Sequence, residues 1–378
     1  MSTTPTPHCA TAMSRFHAVI PAGGVGTRLW PLSRASAPKF LHDLTGSGAT
    51  LIRATYDRLA PLCDGRVAVV TGVSHADAVR EQLPEVADED LVLESEPKDS
   101  AAAIGLAAAI LWKRDPNIIM GSFAADHVIK PLETFQRVVT EAVETAATGK
   151  IVTIGITPAF PSTGFGYIRR GRSLRLKGAP SAHHVIEFVE KPDEATARRY
   201  VDSGDYSWNA GMFVAPVGLM LRHLEASEPE LHAGIMAIAE AWDTPERAAV
   251  VEKVWPGLPK IAIDYAVAEP AAAAGDVAVI PGDFEWDDVG DFAAMARLNH
   301  AEDNESITTI GDSKRVYSDK SSGGIVVSDT NRVIALIGID DVVVVDTHDA
   351  LLVTTKEHAQ SVKAAVAHWK SQGDTDVL

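Results

Sequence analysis

Three glycines, Gly23, Gly24 and Gly26, directly follow an apolar run containing Phe16, Ala18, Val19 and Ile20. The run has the make-up of a buried strand, and the glycines force the chain to turn at its end. Lacking Cβ atoms, they can adopt positive φ and let successive backbone N–H groups converge on one anion. Arg28, Arg34 and Lys39 add cationic side chains within the same stretch. Such a loop suits a polyphosphate. It is not a P-loop, which needs Gly-Lys-Ser/Thr after four spacer residues, nor a dinucleotide fingerprint, which needs glycine where Leu29 stands.

The whole stretch, Pro21-Ala-Gly-Gly-Val-Gly-Thr-Arg-Leu29, resembles the signature of sugar-1-phosphate nucleotidyltransferases. Trp30-Pro31-Leu32-Ser33-Arg34 and Pro38-Lys39-Phe40-Leu41 resemble its mannose-1-phosphate guanylyltransferase branch. Further segments match in order along the chain. Asp126, in Ala125-Asp126-His127, and Asp288, in Phe284-Glu-Trp-Asp-Asp-Val-Gly290, correspond to the metal-binding acids, implying Mg²⁺ or another divalent cation. Asp287 occupies a variable position, and by pattern alone this segment also reads as an acidic turn beside a core Trp. Glu190 and Lys191 of Val189-Glu-Lys-Pro192, Asn209 and Gly211 of Trp208-Asn-Ala-Gly-Met-Phe213, and Gly164 of Thr163-Gly-Phe-Gly-Tyr-Ile168 correspond to the sugar phosphate side. Ile263-Asp264-Tyr265-Ala266-Val267 matches too, with no direct catalytic role expected for Asp264. Glu96-Pro97-Lys98-Asp99-Ser100-Ala101-Ala102-Ala103 stands where the family has its base-side segment, with Ser100 replacing Thr and Ala102 replacing Pro.

The resemblance implies transfer of GMP from GTP to mannose 1-phosphate. Ala22, Gly23, Gly24, Gly26, Thr27, Arg28, Lys39 and Ser100 would bind the nucleotide, with Arg28, Lys39 and Lys191 neutralising charge in the reaction. Related enzymes with another base or sugar, and a non-catalytic paralogue that binds nucleotide sugar, are the competing readings. Longer family members carry an isomerase domain beyond this point, so no phosphomannose isomerase activity is expected of the present chain.

These residues need a scaffold. Thr50 to Leu59, His75 to Gln82 and Ala101 to Trp112 have helical character, while Arg66 to Thr71, Ile118 to Ala125, Ile151 to Ile156 and His184 to Glu190 read as strands. Alternation of this kind predicts an α/β fold: a Rossmann-like, mostly parallel sheet with helices on both faces, its ligands at the carboxyl ends of the strands. We expect a disordered tail over 1–15, a catalytic domain over 16–300 and a β-rich module over 301–378, with a polar break near Glu302 to Ser306. The module's strands are expected at Gly324 to Ser328, Arg332 to Ile337, Val342 to Val345 and Ala350 to Thr354, closed by an amphipathic helix from Lys356 to Lys370. By resemblance the module is a short left-handed β-helix that helps form a homodimer, and none of its residues looks catalytic.

Composition narrows the class. At 378 residues with 46% hydrophobic content, the chain can fill a large core, and its net charge of −17 argues against nucleic acid or an anionic membrane as partner. No apolar stretch reaches the ~18 residues of a membrane helix, and the Thr/Pro-rich start has no signal core, so a cytoplasmic protein is expected. Cys9 and Cys63 give no disulfide or metal framework. Anionic substrates must therefore meet local positive charge.

Overall fold

The computed structural model describes residues 11–299 and 306–378, so Cys9 and most of the expected polar break lie outside the described residues. Of the expected tail, Ala12–Arg15 forms a single 3₁₀ turn whose Ala12 is buried.

The main sheet contains β1 (Phe16–Ala22), β2 (Val67–Gly72), β3 (Leu91–Glu94) and β4 (Ile119–Ser122), then, past the short β5 (Val128–Lys130), β6 (Ile151–Ile156), β7 (Gly166–Ser173), β8 (His183–Val189), β9 (Tyr206–Pro216) and β10 (Val277–Gly282). Their order is β3-β2-β1-β4-β9-β6-β10-β8-β7, with β7 also paired to β9. Strands β3, β2, β1 and β4 run parallel, which gives the loop after β1 and the loop after β4 the same end of the sheet. Beyond β4 the sheet is mixed: β9 is antiparallel to both β4 and β6, and β7 and β8 form an antiparallel pair.

Helices cover both faces, as the alternating pattern predicts. Thr50 caps α1 (Leu51–Leu59) through its side chain, and α1, α2 (Ala76–Gln82) and α4 (Leu132–Ala146) share one apolar core with Phe16, Ala18 and Ile20 of β1. The Ala-rich α3 (Ser100–Arg114) lies in the opposite core with Val19. That helix is buried nearly throughout because its small side chains admit close neighbours; a Cβ on Gly105 would stand 2.9 Å from Ile235 Cδ1. The strand's alternation thus feeds two cores, each a large apolar burial that holds the sheet's end, and the loops on it, in place.

A separate two-stranded ribbon pairs β5 with β11 (Glu285–Asp287) in antiparallel register, with Val128 opposite Asp287. After it, β12 (Thr308–Ile310), β14 (Ile325–Ser328) and β16 (Val342–Asp346) stack in parallel, as do β13 (Val316–Asp319) and β15 (Ile334–Ile337). These are the rungs of a short β-helix, consistent with the left-handed form expected. An antiparallel β17 (Leu351–Thr355) ends it, and the expected terminal helix divides into a 3₁₀ segment, Lys356–Val362, and an α-helix, Lys363–Gln372. Among the described residues no helix is long and apolar enough to cross a membrane.

Candidate active site

The glycine loop has the backbone its composition predicts. Gly24 and Gly26 take φ of +84° and +75°. At Gly26 a second constraint operates, because a Cβ would meet the Lys39 side chain at 3.0 to 3.2 Å. The Ser33 hydroxyl donates to Gly26 O at 2.5 Å and closes the loop from behind, a contact that the spacing of glycines and cations does not reveal. Ala22 is buried and accepts a hydrogen bond from Thr71 Oγ1 at its carbonyl (2.8 Å), while Gly23, Gly24, Thr27 and Arg28 are exposed. Arg28 has no hydrogen-bond or ion-pair partner among the described residues and lines a cleft of about 1040 Å³ together with Lys191, Gly164 and Asp288.

Asp126 and Asp288 converge. Ala125 N–H donates to Pro21 O at 3.1 Å, which extends the β1–β4 alignment and sets Asp126 beside the glycine loop. The ribbon then brings the second acid: since Val128 faces Asp287, the residues just past them, His127 and Asp288, leave the ribbon at one end. Lys39 Nζ touches both sides, at 2.7 Å from Asp126 Oδ2 and 2.7 Å from Asp288 O. Burial works to raise the Asp126 carboxyl, but the adjoining Lys39 ammonium outweighs it and holds the group below its ordinary value. Burial pushes Asp288 upward against the same lysine. His127, buried against Trp286 at 5.2 Å between ring centres, is driven down to about 4 by burial and stays neutral at pH 7. Asp287 serves the local backbone, accepting from Val289 N at 2.8 Å and pairing with Arg297 at 2.6 Å.

Two hard carboxylates beside a phosphate-type loop suit Mg²⁺, which prefers few protein ligands plus substrate phosphates. Among the described residues no group of three or more His, Cys, Asp or Glu side chains could hold a metal, so a cation here would draw the rest of its shell from substrate and water.

The other expected residues form a second cluster. Glu190 Oε1 pairs with Lys191 Nζ at 2.9 Å, while its Oε2 is buried without a partner. Burial disfavours the Lys191 charge, yet Glu190 and Asp264 raise it above its usual range. Asn209 Oδ1 already accepts from Thr153 Oγ1 and Gly211 N, and its Nδ2 donates to Asp264 Oδ1 at 2.7 Å, leaving one amide N–H free. Asp264, pushed up to about 6 by burial and Glu190, therefore orients Asn209, a contact the sequence motif did not disclose. One glycine of this cluster is required by packing within the protein. A Cβ on Gly166 would stand 2.4 Å from Glu190 Oε2, whereas Gly164 has only Ser162 Oγ at 3.6 Å, and Gly211, with φ +66°, has nothing within 4 Å. Phe165 edges onto Trp208 and Trp286 (5.1 and 5.2 Å between centres), making an aromatic wall.

Two further cationic or polar groups have partners within the protein. Arg34 does not face the loop's interior; its guanidinium is spent on Asp349 of the C-terminal module. Ser100 turns its hydroxyl to accept from Ile263 N at 2.9 Å, tying the start of α3 to the segment that bears Asp264.

The chain matches the nucleotidyl transferase family over residues 17–305 and a "MannoseP isomerase/GMP-like beta-helix domain" over 319–368. It is 36% identical over 368 residues to the mannose-1-phosphate guanylyltransferase of Escherichia coli (strain K12), covering 96% of this chain and 75% of that one. It is likewise 36% identical over 352 residues to the mannose-1-phosphate guanylyltransferase of Salmonella montevideo, covering 92% and 72%. A crystal structure from Thermus thermophilus, described as a mannose-1-phosphate geranyltransferase, superposes with a TM-score of 0.82 at 30% identity, covering 94% of this chain and 99% of that one. The protein belongs to the nucleotidyl transferase family and is an enzyme of that class.

Proposed function

We propose that this enzyme transfers GMP from GTP to α-D-mannose 1-phosphate, releasing pyrophosphate and forming GDP-mannose. The carrying observation is the convergence of Lys39, Asp126 and Asp288 beside the glycine loop. Similarity to the guanylyltransferases of Escherichia coli and Salmonella montevideo supports the choice of substrates.

A phosphate oxygen of mannose 1-phosphate attacks the α-phosphorus of GTP in line. The new P–O bond forms as the bond from the α-phosphorus to its bridging oxygen breaks, and that electron pair leaves with pyrophosphate. No general base is required, since the attacking phosphate is already anionic. The obstacle is repulsion between anions, so catalysis consists of positioning and charge neutralisation. Backbone N–H groups from Gly23 to Thr27, with Arg28, hold the β and γ phosphates, Lys39 steadies the α-phosphate and leaving group, and Lys191 receives the incoming phosphate. Glu190, Asn209 and Gly211 face the sugar, Gly164 lines its cleft, and Ser100 belongs to the base-side segment. Mg²⁺ held by Asp126 and Asp288 would supply further charge neutralisation at the reacting phosphates.

The homodimer we propose is supported by apolar side chains left exposed on the β-helix, among them Leu351 and Val353, which alternate on one face of β17. A cytoplasmic site for the reaction suits these substrates. Pyrophosphate release assayed with GTP, ATP, UTP and dTTP against several hexose 1-phosphates tests the reading. GTP with mannose 1-phosphate should be the best pair; a preference for any other base or sugar overturns it.

A further inference from the structure

The C-terminal module reaches the catalytic loops at three points. Arg34 lies between Arg28 and Lys39 in the chain, and its guanidinium forms a two-pronged pair with Asp349, Nη1 to Oδ2 at 2.7 Å and Nη2 to Oδ1 at 2.6 Å. The same group donates to Thr347 Oγ1 at 3.3 Å and to Pro31 O at 3.0 Å, so both module and loop are gripped by one rigid fork. The Arg34 backbone is itself fixed by reciprocal bonds with Ala37, at 2.9 and 3.1 Å. Trp30, buried, donates its indole N–H to Val377 O at 2.6 Å. Gln360, in the 3₁₀ segment after β17, donates to Asp291 Oδ2; the other oxygen of Asp291, three residues beyond Asp288, caps Ala294 N at 2.9 Å.

Apolar packing joins the same parts. Leu29 of the loop and Val289, immediately after Asp288, are fully buried in one cluster with Ile325, Val343 and Val345 of the β-helix. Val289 adopts φ +45°, an unfavourable backbone for a β-branched residue, and its side chain is anchored in that shared cluster. By contrast, Cβ atoms added to Gly23 or Gly24 would meet nothing within 4 Å, so the first part of the turn, unlike Gly26, has little packing of its own. A turn of this kind loses much conformational freedom when it is fixed, and something outside it must hold its shape.

We propose that the β-helix positions the phosphate-binding loop and the Asp288 loop together, with Asp349, through Arg34, as the principal positioning residue. The functional part of this inference rests on the reaction proposed above; the structural part does not. A bidentate charged pair at a fixed angle transmits position, which a scattered surface charge would not. An Asp349→Ala variant should raise KM for GTP about tenfold, the cost of one charge-assisted hydrogen-bonded pair, while KM for mannose 1-phosphate stays within about twofold.

The deciding experiment follows amide hydrogen exchange over residues 25–41 of the full chain without substrate, together with both KM values, for Asp349→Ala, Arg34→Ala, the double variant and the milder Arg34→Lys. We expect faster exchange in that segment, a nucleotide-selective rise in KM, a double variant no worse than the worse single, and incomplete recovery with lysine, which lacks the fork. Unchanged exchange overturns the proposal. So does faster exchange with unchanged KM for GTP, or an equal loss for both substrates that tracks a lowered melting temperature. If the unsubstituted enzyme accepts neither substrate, the proposed reaction fails, and the exchange data alone decide whether the module holds the loop.

Discussion

Lys39 donates its ammonium to Asp126 at 2.7 Å, so the cation assigned to the α-phosphate is held by the carboxylate assigned to the metal. The pair sets two opposite charges where two anionic substrates and a divalent ion would have to be balanced. The other bond of the ammonium goes to Asp288 O, while the Lys39 backbone N–H donates to Val25 O of the glycine loop at 3.4 Å.

Loss of either acid should therefore be felt in turnover and not in folding. Asp126→Asn and Asp288→Asn should each lower kcat by about 10²- to 10³-fold, the range for removing one charge-stabilising group, with an unchanged circular dichroism spectrum. Near-normal Mg²⁺-dependent turnover in Asp126→Asn would remove its assignment as a metal ligand.

On the sugar side the expected split is in KM. Asp264→Ala frees the Asn209 amide, and Glu190→Gln replaces a buried carboxylate oxygen. Each should raise KM for mannose 1-phosphate by about 10- to 100-fold, the worth of a hydrogen bond to a charged group, and leave KM for GTP nearly unchanged. A matching rise for both substrates would show that the cluster serves the nucleotide as well.

Glu94, at the end of β3, is buried and its Oε1 has no partner, and burial pushes its carboxyl up to about 7 from 4.5. Between those values the folded state retains a proton that the unfolded chain releases. Stability should thus fall as pH rises through that window, with the full cost, up to about 3 kcal/mol, present above pH 7. Glu94→Gln should flatten this segment of the curve and be the more stable protein near pH 8. Urea unfolding at several pH values measures it; parallel curves for the two proteins would contradict the assignment.

Val353 is 63% exposed on the edge strand β17. If β17 lies in the proposed dimer interface, Val353→Asp should shift sedimentation from dimer to monomer. A dimer of undiminished stability would place the interface elsewhere.

The sequence by itself determined the local features. Gly24 and Gly26 mark positive φ because only glycine adopts it freely, Asp126 follows an apolar strand, and the strand and helix runs alternate in a way that dictates a layered sheet. Strands expected at Arg66 to Thr71, Ile151 to Ile156 and His184 to Glu190 appear at Val67–Gly72, Ile151–Ile156 and His183–Val189. What only the tertiary structure decided is which distant groups meet. The β5–β11 register brings Asp288 to Asp126, and the long-range bonds of Asn209 to Asp264 and of Arg34 to Asp349 give those side chains roles that their motifs do not spell out. Glycine's backbone freedom and a strand's periodicity are properties of neighbouring residues, whereas strand pairing and ion-pair choice depend on how the whole chain closes around its cores.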